Sequence, residues 1–444
     1  MMRLCTVTSH QSPVTSEDSE QITVSPPLPL SPAPPLPGSP SPPLPCSLLN
    51  FGMSMTLDLT ELHFTYSFDR FPDYLDRLRS KLRIAVIHGG DKDRDGAVIY
   101  KTHNPRSTKT YEKVAWDIAE ALKNLGFEYV SVMPDDMTLP QRLKEENIHF
   151  AWLNTGGVQG YDPVCHTPAI LEMLGVPYVG HDPLNSSTLD NKHVFKRELQ
   201  AFGVRTAPFM TWHPSQGILN PRTNPRFLTT FGHYRGAFVV KPVSGRASLN
   251  IFVVDDAADL PDAVAEVHRL TRNTASIETY LSGREFCVSV CGYITCAGGT
   301  LRKNPEPFAF STIERVLEAN ERIFTSMDRR AITEHRLRLL GNEDADMSRA
   351  LISLAKQVYW DFNLNALVRI DLRTDADGKL YVLEANPKPD LKRPTEAETS
   401  LVVQGLREYG MEYEDLILSL LVDRLDYLLT YHAPIVRHLV ALLV

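Results

Sequence analysis

Residues 368–390, VRIDLRTDADGKLYVLEANPKPD, constrain this 444-residue chain more than any other stretch. Val368, Ile370 and Leu372 alternate with Arg369 and Asp371, a DADG turn follows, and Leu380, Val382, Glu384 and Asn386 then share one face. Period-two alternation about a glycine-containing turn predicts an antiparallel hairpin. Side chains alternate across a strand, so Arg369 shares a face with Asp371, and Glu384 with Asn386. Pairing about the turn brings Asp371 opposite Glu384, with Cβ atoms about 5 Å apart. Two carboxylates that close repel each other where water is scarce. A hard divalent cation would remove the conflict, with the asparagine oxygen as a neutral ligand. Mg²⁺ favours such oxygen donors and keeps places for phosphate oxygens. Arg369 would then meet an anion rather than the metal. An ordinary hairpin with a solvated polar face has the same pattern, so the metal reading depends on what the rest of the chain supplies.

Composition removes several function classes. A formal net charge of −8 argues against a nucleic-acid partner held by phosphate neutralisation. No apolar run reaches the ~18 residues of a membrane span, and PIVRHLVALLV is interrupted by Arg437 and His438. The six cysteines, Cys5, Cys46, Cys165, Cys287, Cys291 and Cys296, form no CxxC pair and no zinc-type spacing. Cys287 and Cys291 lie in a strand-like run and read as small core residues. A reducing, cytoplasmic setting is the expectation.

Six segments follow along the chain. Residues 1–52 are a Pro/Ser-rich tail. SPPLPLSPAPPLPGSPSPPLP favours polyproline II and reads as a flexible tail, or else as a docking ligand for a proline-reading domain. No apolar h-region follows Arg3, so it is not a signal peptide, and Met53 and Met55 offer later starts. Residues 53–81 are an N-terminal extension. Residues 82–185 alternate strand and helix: LRIAVIHGG, a helix from about Thr110 to Leu125 striped by Val114, Ile118 and Leu122, EYVSVM, FAWLN, and PAILEMLGVPYVG. That order predicts an N-terminal doubly wound parallel sheet. Residues 186–282 open with LDNKHVFKRELQAFGV, helical with Asp190 as N-cap and Gly203 as stop. AFVVKPVSGRASLNIFVV then reads as strand, loop, strand, and DLPDAVAEVHRL as a helix with Pro261 in its first turn. Residues 283–432 begin with the alternating GREFCVSVCGYI. Residues 296–345 look irregular, a helix runs near Met347–Trp360, and EDLILSLLVDRLDYLL closes the unit. Residues 433–444 read as a tail. There is no internal repeat.

If the hairpin holds a metal nucleotide, other residues must hold its phosphates. Lys241 ends the apolar strand AFVV, and SGRASLN after it offers backbone N–H groups. Lys192, early in its helix, is a second candidate. Glu278 and Glu285 bracket TYLSGR, a connector suited to adenine and ribose. Taken one at a time, these are ordinary surface charges; their order along the chain is what carries weight. With IAVIHGG, GVPYVG, FVVKP, IETYLSGREF, RID, LEANP and SLVVQGLREYGMEYEDLIL, the chain resembles the ATP-grasp superfamily, and within it D-alanine–D-alanine ligase, over about residues 82–425.

That resemblance implies an α/β chain: a pre-ATP-grasp sheet followed by a two-lobed ATP-grasp fold of α+β type. It implies that Lys192 and Lys241 bind ATP phosphates, with Ser248 in the loop after Lys241. Glu278 and the backbone of Tyr280 and Leu281 would face adenine, and Glu285 the ribose. Asp371, Glu384 and Asn386 would hold Mg²⁺ (or Mn²⁺). Arg369 resembles the residue that stabilises the oxyanion of acyl transfer, and Ser400 the serine that receives the second substrate's carboxylate. The implied reaction is ATP-dependent joining of a carboxylate to an amine through an acyl phosphate, on small amino-acid or carboxylate substrates, in a homodimer.

The sequence departs from the family pattern where amino acids would bind. DKDRDGAVIYKTHNPRSTKTYE replaces a short serine-rich turn and its glutamate. Arg246 and Asn250 enter the loop after Lys241. Asn154 replaces a histidine, and Asp390, among Lys388, Lys392 and Arg393, replaces an oxyanion-hole glycine. Lid residues between 300 and 345, Lys303 among them, show no deciding pattern. The sequence alone leaves open a ligase for other substrates, a non-catalytic or regulatory ATP-binding module, and an unrelated α/β protein. The retained Arg369 beside the full acid set favours a ligase.

Overall fold

The computed structural model describes residues 64–100, 111–160, 162–245, 248–319, 321–324, 334–396 and 399–444. The Pro/Ser-rich tail, Thr110, Arg246 and lid residues 325–333 lie outside them. Helix α1 (Phe71–Arg79) precedes β1 (Arg83–His88), α2 (Glu112–Asn124), β2 (Tyr129–Pro134), α3 (Leu139–Glu145), β3 (Phe150–Asn154), α4 (His166–Leu174) and β4 (Tyr178–Val179). These strands form a parallel sheet of order β2-β1-β3-β4. Ile84, Ala85, Val86 and Ile87 are all fully buried, because helices cover both faces of a parallel sheet and leave no side for polar residues.

A second layer starts with α5 (Pro183–Asp190) and α6 (Lys192–Ala201). The expected N-cap, Asp190, is instead the last residue of α5. Asn191 is extended (φ −92°, ψ 102°) and its side chain accepts from the N–H groups of His193 and Val194. The cap thus falls one residue later, and the 185/186 boundary read from the sequence falls inside α5.

β5 (Phe209–Trp212), α7 (Pro225–Phe231), β6 (Phe238–Pro242), β7 (Phe252–Val254), α8 (Leu260–Thr271) and β8 (Ala275–Thr279) make a small lobe, its antiparallel sheet ordered β5-β8-β6-β7. β9 (Glu285–Cys291), β10 (Ile294–Ala297), β11 (Thr300–Lys303), β12 (Phe308–Arg315) and β13 (Leu337–Leu339) follow. Then come α9 (Ala345–Asp361), β14 (Val368–Thr374), β15 (Leu380–Asn386), α10 (Tyr413–Tyr431) and α11 (Arg437–Leu443). The large sheet runs β13-β12-β9-β14-β15.

Two expectations are corrected here. The described residues of 296–345 are more regular than expected: β10 and β11 form a hairpin about Gly298 and Gly299 (φ +55° and +75°), and β12 is a long strand beside β9. The C-terminal segment is not a loose tail either. α11 buries Leu439, Val440 and Leu443, and α1 reaches it through hydrogen bonds from Arg77 to the carbonyls of Leu443 and Val444.

Helix α10 is apolar nearly all round, with Leu416, Ile417, Leu421 and Val422 at 0–4 % exposure. It shares one apolar cluster with Ile84, Val86 and Ile118 of the parallel-sheet domain and Ile294 and Phe310 of the large-sheet domain. A helix with apolar neighbours on opposite sides needs no polar face. Among the described residues no helix is long and apolar enough to cross a membrane.

Candidate active site

The hairpin is present, with Asp371 paired to Glu384 and Arg369 to Asn386 across β14 and β15, but a bulge after Asp371 sets Val382 opposite Leu372 in the core, so Leu380 and Val382 do not share the face of Glu384 and Asn386 as expected. It forms one wall of a cleft whose two halves share Lys241, Ser248, Ile251 and Glu384. One half adds Lys192, Gly245, Asn386 and Lys388. The other adds Glu278, Tyr280, Leu281, Glu285, Arg315 and Asp371. Ten of the candidate residues thus line this cleft: Lys192, Lys241, Ser248, Glu278, Tyr280, Leu281, Glu285, Asp371, Glu384 and Asn386.

Cationic side chains also reach the acid pair. Asp371 Oδ1 lies 2.7 Å from an Arg315 terminal nitrogen and accepts from Arg369 Nε at 2.8 Å. Its Oδ2 accepts from Arg369 Nη2 at 3.0 Å and from Asn386 Nδ2 at 3.1 Å. Burial alone would raise the Asp371 carboxyl, but the two guanidinium groups outweigh it and hold it below the usual carboxylate range. Glu384 Oε2 pairs instead with Lys192 Nζ at 3.3 Å. Two arginines and a lysine therefore supply the positive charge. Arg369, expected to face a ligand anion, is held by its neighbour on the strand.

The donor set still suits a hard cation. Asp371, Glu384 and Asn386 are oxygen ligands on one hairpin, Glu384 is 31 % exposed in the cleft wall, and the Asn386 amide oxygen is not used in the bond to Asp371. Among the described residues no cluster of three or more His, Cys, Asp or Glu side chains stands together; here two acids and an amide form the set.

On the opposite wall one carboxylate organises two lysines. Glu278 Oε1 lies 3.1 Å from Lys241 Nζ, and Oε2 lies 3.2 Å from Lys196 Nζ. Ser276 Oγ donates to Oε1 at 3.1 Å. Lys196 is fully buried and also donates to Thr206 Oγ1 at 2.7 Å. Thr206 Oγ1 in turn donates to the Val382 carbonyl of β15, so the lysine pair is tied to the hairpin. Burial alone would raise the Glu278 carboxyl, yet Lys196 and Lys241 hold it at about 2. Burial is also what drives the Lys196 ammonium down to about 8, against the pull of Glu278.

A folded pKa below the unfolded value means that the unfolded chain binds more protons between the two. The stability contributed by Glu278 is therefore complete above about pH 5 and drains away as pH falls toward 2. Urea titrations should show Glu278 contributing about 2 kcal/mol of the loss between pH 7 and pH 3. Glu278→Gln should remove that portion of the slope and lower stability at pH 7 by about 3 kcal/mol, because two buried lysines lose their partner. An unaltered slope would contradict the pairing.

Glu285 is held on both sides. Its register partners on β12 and β14 are Arg315 and Arg373, whose guanidinium nitrogens lie 2.9 and 3.3 Å from its two oxygens. Tyr280 receives Arg373 Nη2 on its hydroxyl at 3.1 Å and donates to the Arg322 carbonyl at 2.8 Å, fixing the connector. Gly283 makes the turn beside it, where a Cβ would sit 2.1 Å from Thr374 Oγ1. Lys192 Nζ also donates to the Gly245 carbonyl at 3.1 Å, joining the loop after β6 to β15. Ser248 (φ +51°) and Asn250 (φ +58°) give that loop two left-handed residues.

Ser400 is not at the cleft. It is fully buried, and its Oγ accepts from the N–H groups of Val402 and Val403, both at 3.3 Å. It stands just before the 3₁₀ turn Val403–Tyr409, and in this conformation its side chain has no exposed surface. Asn154 is 2 % exposed and donates to the Tyr111 carbonyl at 2.9 Å, while Lys388 Nζ stands 3.3 Å from the centre of the Tyr111 ring.

Sequence reasoning missed Lys196, Arg315 and Arg373. Lys196 stands four residues after Lys192, on the same helix face, which was a readable signal. Arg373 continues the Arg369–Asp371 face of β14. Arg315 ends a strand whose alternation is broken by a register shift between Phe310 and Ile313, with Ser311 at φ +51°.

The family model described as D-ala D-ala ligase C-terminus matches residues 199–422, half of the chain. A D-alanine--D-alanine ligase of Aquifex aeolicus is 24% identical over 300 residues, covering 68% of this chain and 90% of that protein. One of Gloeobacter violaceus is 26% identical over 309 residues, covering 70% and 92%. Among solved structures, the Bacillus anthracis D-alanine--D-alanine ligase complexed with ATP aligns with TM-score 0.55 at 20% identity, over 78% of this chain and 98% of that one. The Coxiella burnetii D-alanine-D-alanine ligase aligns with TM-score 0.56 at 18% identity, over 80% and 97%. With the parallel sheet, the small antiparallel lobe and the lysine- and acid-lined cleft in the order this fold requires, the chain belongs to the D-alanine–D-alanine ligase family and is an ATP-dependent ligase of that type.

Proposed function

We propose that this chain joins the carboxylate of one amino acid to the amine of a second, through an acyl phosphate, in the cleft between the β6–β8 wall and the β14–β15 hairpin. The convergence of Lys192, Lys241, Asp371, Glu384 and Asn386 on that one cavity is the observation that carries the reading. Lys192 and Lys241 would hold ATP phosphates as point charges, with the loop through Ser248 offering backbone N–H groups. Glu278, Tyr280 and Leu281 would form the adenine side and Glu285 the ribose side. Asp371, Glu384 and Asn386 would hold Mg²⁺ or Mn²⁺, which when bound supplies positive charge against the phosphate oxygens.

In the first step a carboxylate oxygen attacks the γ-phosphorus, the bond to the β-phosphate oxygen breaks, and ADP leaves. In the second an amine attacks the acyl carbon and inorganic phosphate leaves with the original carboxylate oxygen. Arg369 would steady the oxyanion between these events. The protein contributes mainly position and charge.

The partner activated on its carboxylate is proposed as an amino acid or small carboxylate, and the partner that supplies the amine as an amino acid. Asn154, Lys388 and Asp390 alter the half of the site that the family uses for D-alanine, which favours a substrate pair other than two D-alanines. Incubating the protein with ATP, Mg²⁺ and separate L- and D-amino acid pools, with phosphate release and product mass as readouts, tests this. Amino-acid-dependent release with a dipeptide-like product is expected. ATP binding without turnover in every pool would contradict it.

A further inference from the structure

One side chain in the cleft bridges the carboxylate assigned to the ribose and a carboxylate assigned to the metal. Arg315 sends one terminal nitrogen to Glu285 Oε1 at 2.9 Å and the other to Asp371 Oδ1 at 2.7 Å. All three side chains are buried, at 8 %, 6 % and 3 % exposure. Each carboxylate also has a guanidinium of its own: Arg373 for Glu285 and Arg369 for Asp371. Arg315 alone is shared. It closes β12, and its guanidinium lies 5.4 Å from the Phe324 ring centre.

We propose that Arg315 couples nucleotide binding to metal binding: without nucleotide it ties the ribose-side carboxylate to the metal-side carboxylate and keeps the latter closed to cations. This rests on the assignment of Glu285 to nucleotide and of Asp371, Glu384 and Asn386 to metal. The physical argument is charge competition. With two guanidinium groups on Asp371, an approaching divalent cation meets a carboxylate already neutralised and hydrogen-bonded on both oxygens. A polyphosphate in the cleft offers Arg315 another anion, and ribose hydroxyls offer Glu285 another donor. Both changes release the same guanidinium, so they act in concert. The coupling must be reciprocal, the cation raising nucleotide affinity by the factor that nucleotide raises the cation's.

Mn²⁺ binding to the full chain, read from the free-ion electron paramagnetic resonance signal with and without ADP, tests the proposal. The wild type should bind Mn²⁺ weakly alone and about tenfold or more tighter with ADP. Arg315→Met should bind Mn²⁺ about tenfold tighter than wild type without ADP, and the ADP effect should shrink to about twofold. Arg373 and Arg369 keep each carboxylate partnered in this variant. Arg315→Lys keeps a positive charge for folding but presents a single ammonium that does not span both acids, and it too should lose most of the ADP effect. Circular dichroism melts establish that each variant is folded.

If Arg315→Met binds Mn²⁺ no tighter than wild type without ADP, while Glu384→Ala abolishes Mn²⁺ binding, the coupling is overturned and the metal assignment stands. An undiminished ADP effect in Arg315→Lys also overturns it. If Glu384→Ala leaves Mn²⁺ binding unchanged, the metal assignment fails and the coupling falls with it.

Discussion

Glu384→Ala should lower kcat by about three orders of magnitude and remove the Mg²⁺-dependent part of nucleotide binding. Glu384 is the acid shared by both halves of the cleft, and it is 31 % exposed and paired with Lys192. Lys192 retains the Gly245 carbonyl when the carboxylate is lost, so folding should be little affected. Loss of a ligand to a catalytic cation removes several kcal/mol of transition-state charge stabilisation, which is about 10²–10³ or more in rate. Steady-state kinetics at saturating ATP, with calorimetric ADP titrations in Mg²⁺ and in chelator, would check it. Wild-type turnover in a folded variant would contradict the metal assignment.

Arg369→Met should behave differently. Its fork is held by both oxygens of Asp371, at 2.8 and 3.0 Å, so it is oriented before any ligand arrives. If it steadies the oxyanion, the loss falls on kcat, by about 10²–10³. Nucleotide affinity should change by less than about fivefold, because Asp371 keeps Arg315 and a cation meets less competing charge there. Arg369→Lys should recover little, since an ammonium does not reproduce the bidentate geometry. Comparing kcat with the calorimetric ADP affinity separates the roles. A parallel fall in both would make Arg369 a structural partner of Asp371 and no more.

The two variants differ because the hairpin does two things, and only one was legible in the sequence. Strand alternation and the DADG turn were enough to predict the hairpin and to bring Asp371 near Glu384, since side-chain period and turn chemistry are local properties, but the bulge that sets the two acids directly opposite each other was not legible. Local pattern also disclosed the parallel sheet, the helix over 112–124 and the connector at 280–284. What balances Asp371 was not legible, because Arg315 lies 56 residues upstream on a strand that reaches β14 only through β9. The left-handed Ser311 hides that strand's alternation, and it sits so near Gly405 that a Cβ there would lie 2.8 Å from the Ser311 Cα. A contact made by tertiary packing leaves no period to read.

The same distinction explains the other corrections. Asp190 and Asn191 are adjacent residues that both favour caps, and only the backbone turn between α5 and α6 decides between them. Ser400 matched a motif, but its hydroxyl is consumed by two backbone N–H groups of the turn it begins. The C-terminal segment read as a tail, too short and too interrupted by Arg437 and His438 to span a membrane. The structure uses those residues at the helix start while Leu439, Val440 and Leu443 pack inward.

The central claim is that a carboxylate is activated as an acyl phosphate in the cleft between Lys241 and Glu384, and transfer of oxygen tests it most directly. An amino-acid substrate from the turnover screen, labelled with ¹⁸O in its carboxylate, is incubated with ATP, Mg²⁺ and the second substrate, and the released phosphate is examined by mass spectrometry. One ¹⁸O atom should appear in inorganic phosphate for each amide formed, and Glu384→Ala should form neither. Unlabelled phosphate accompanying amide formation would contradict the account.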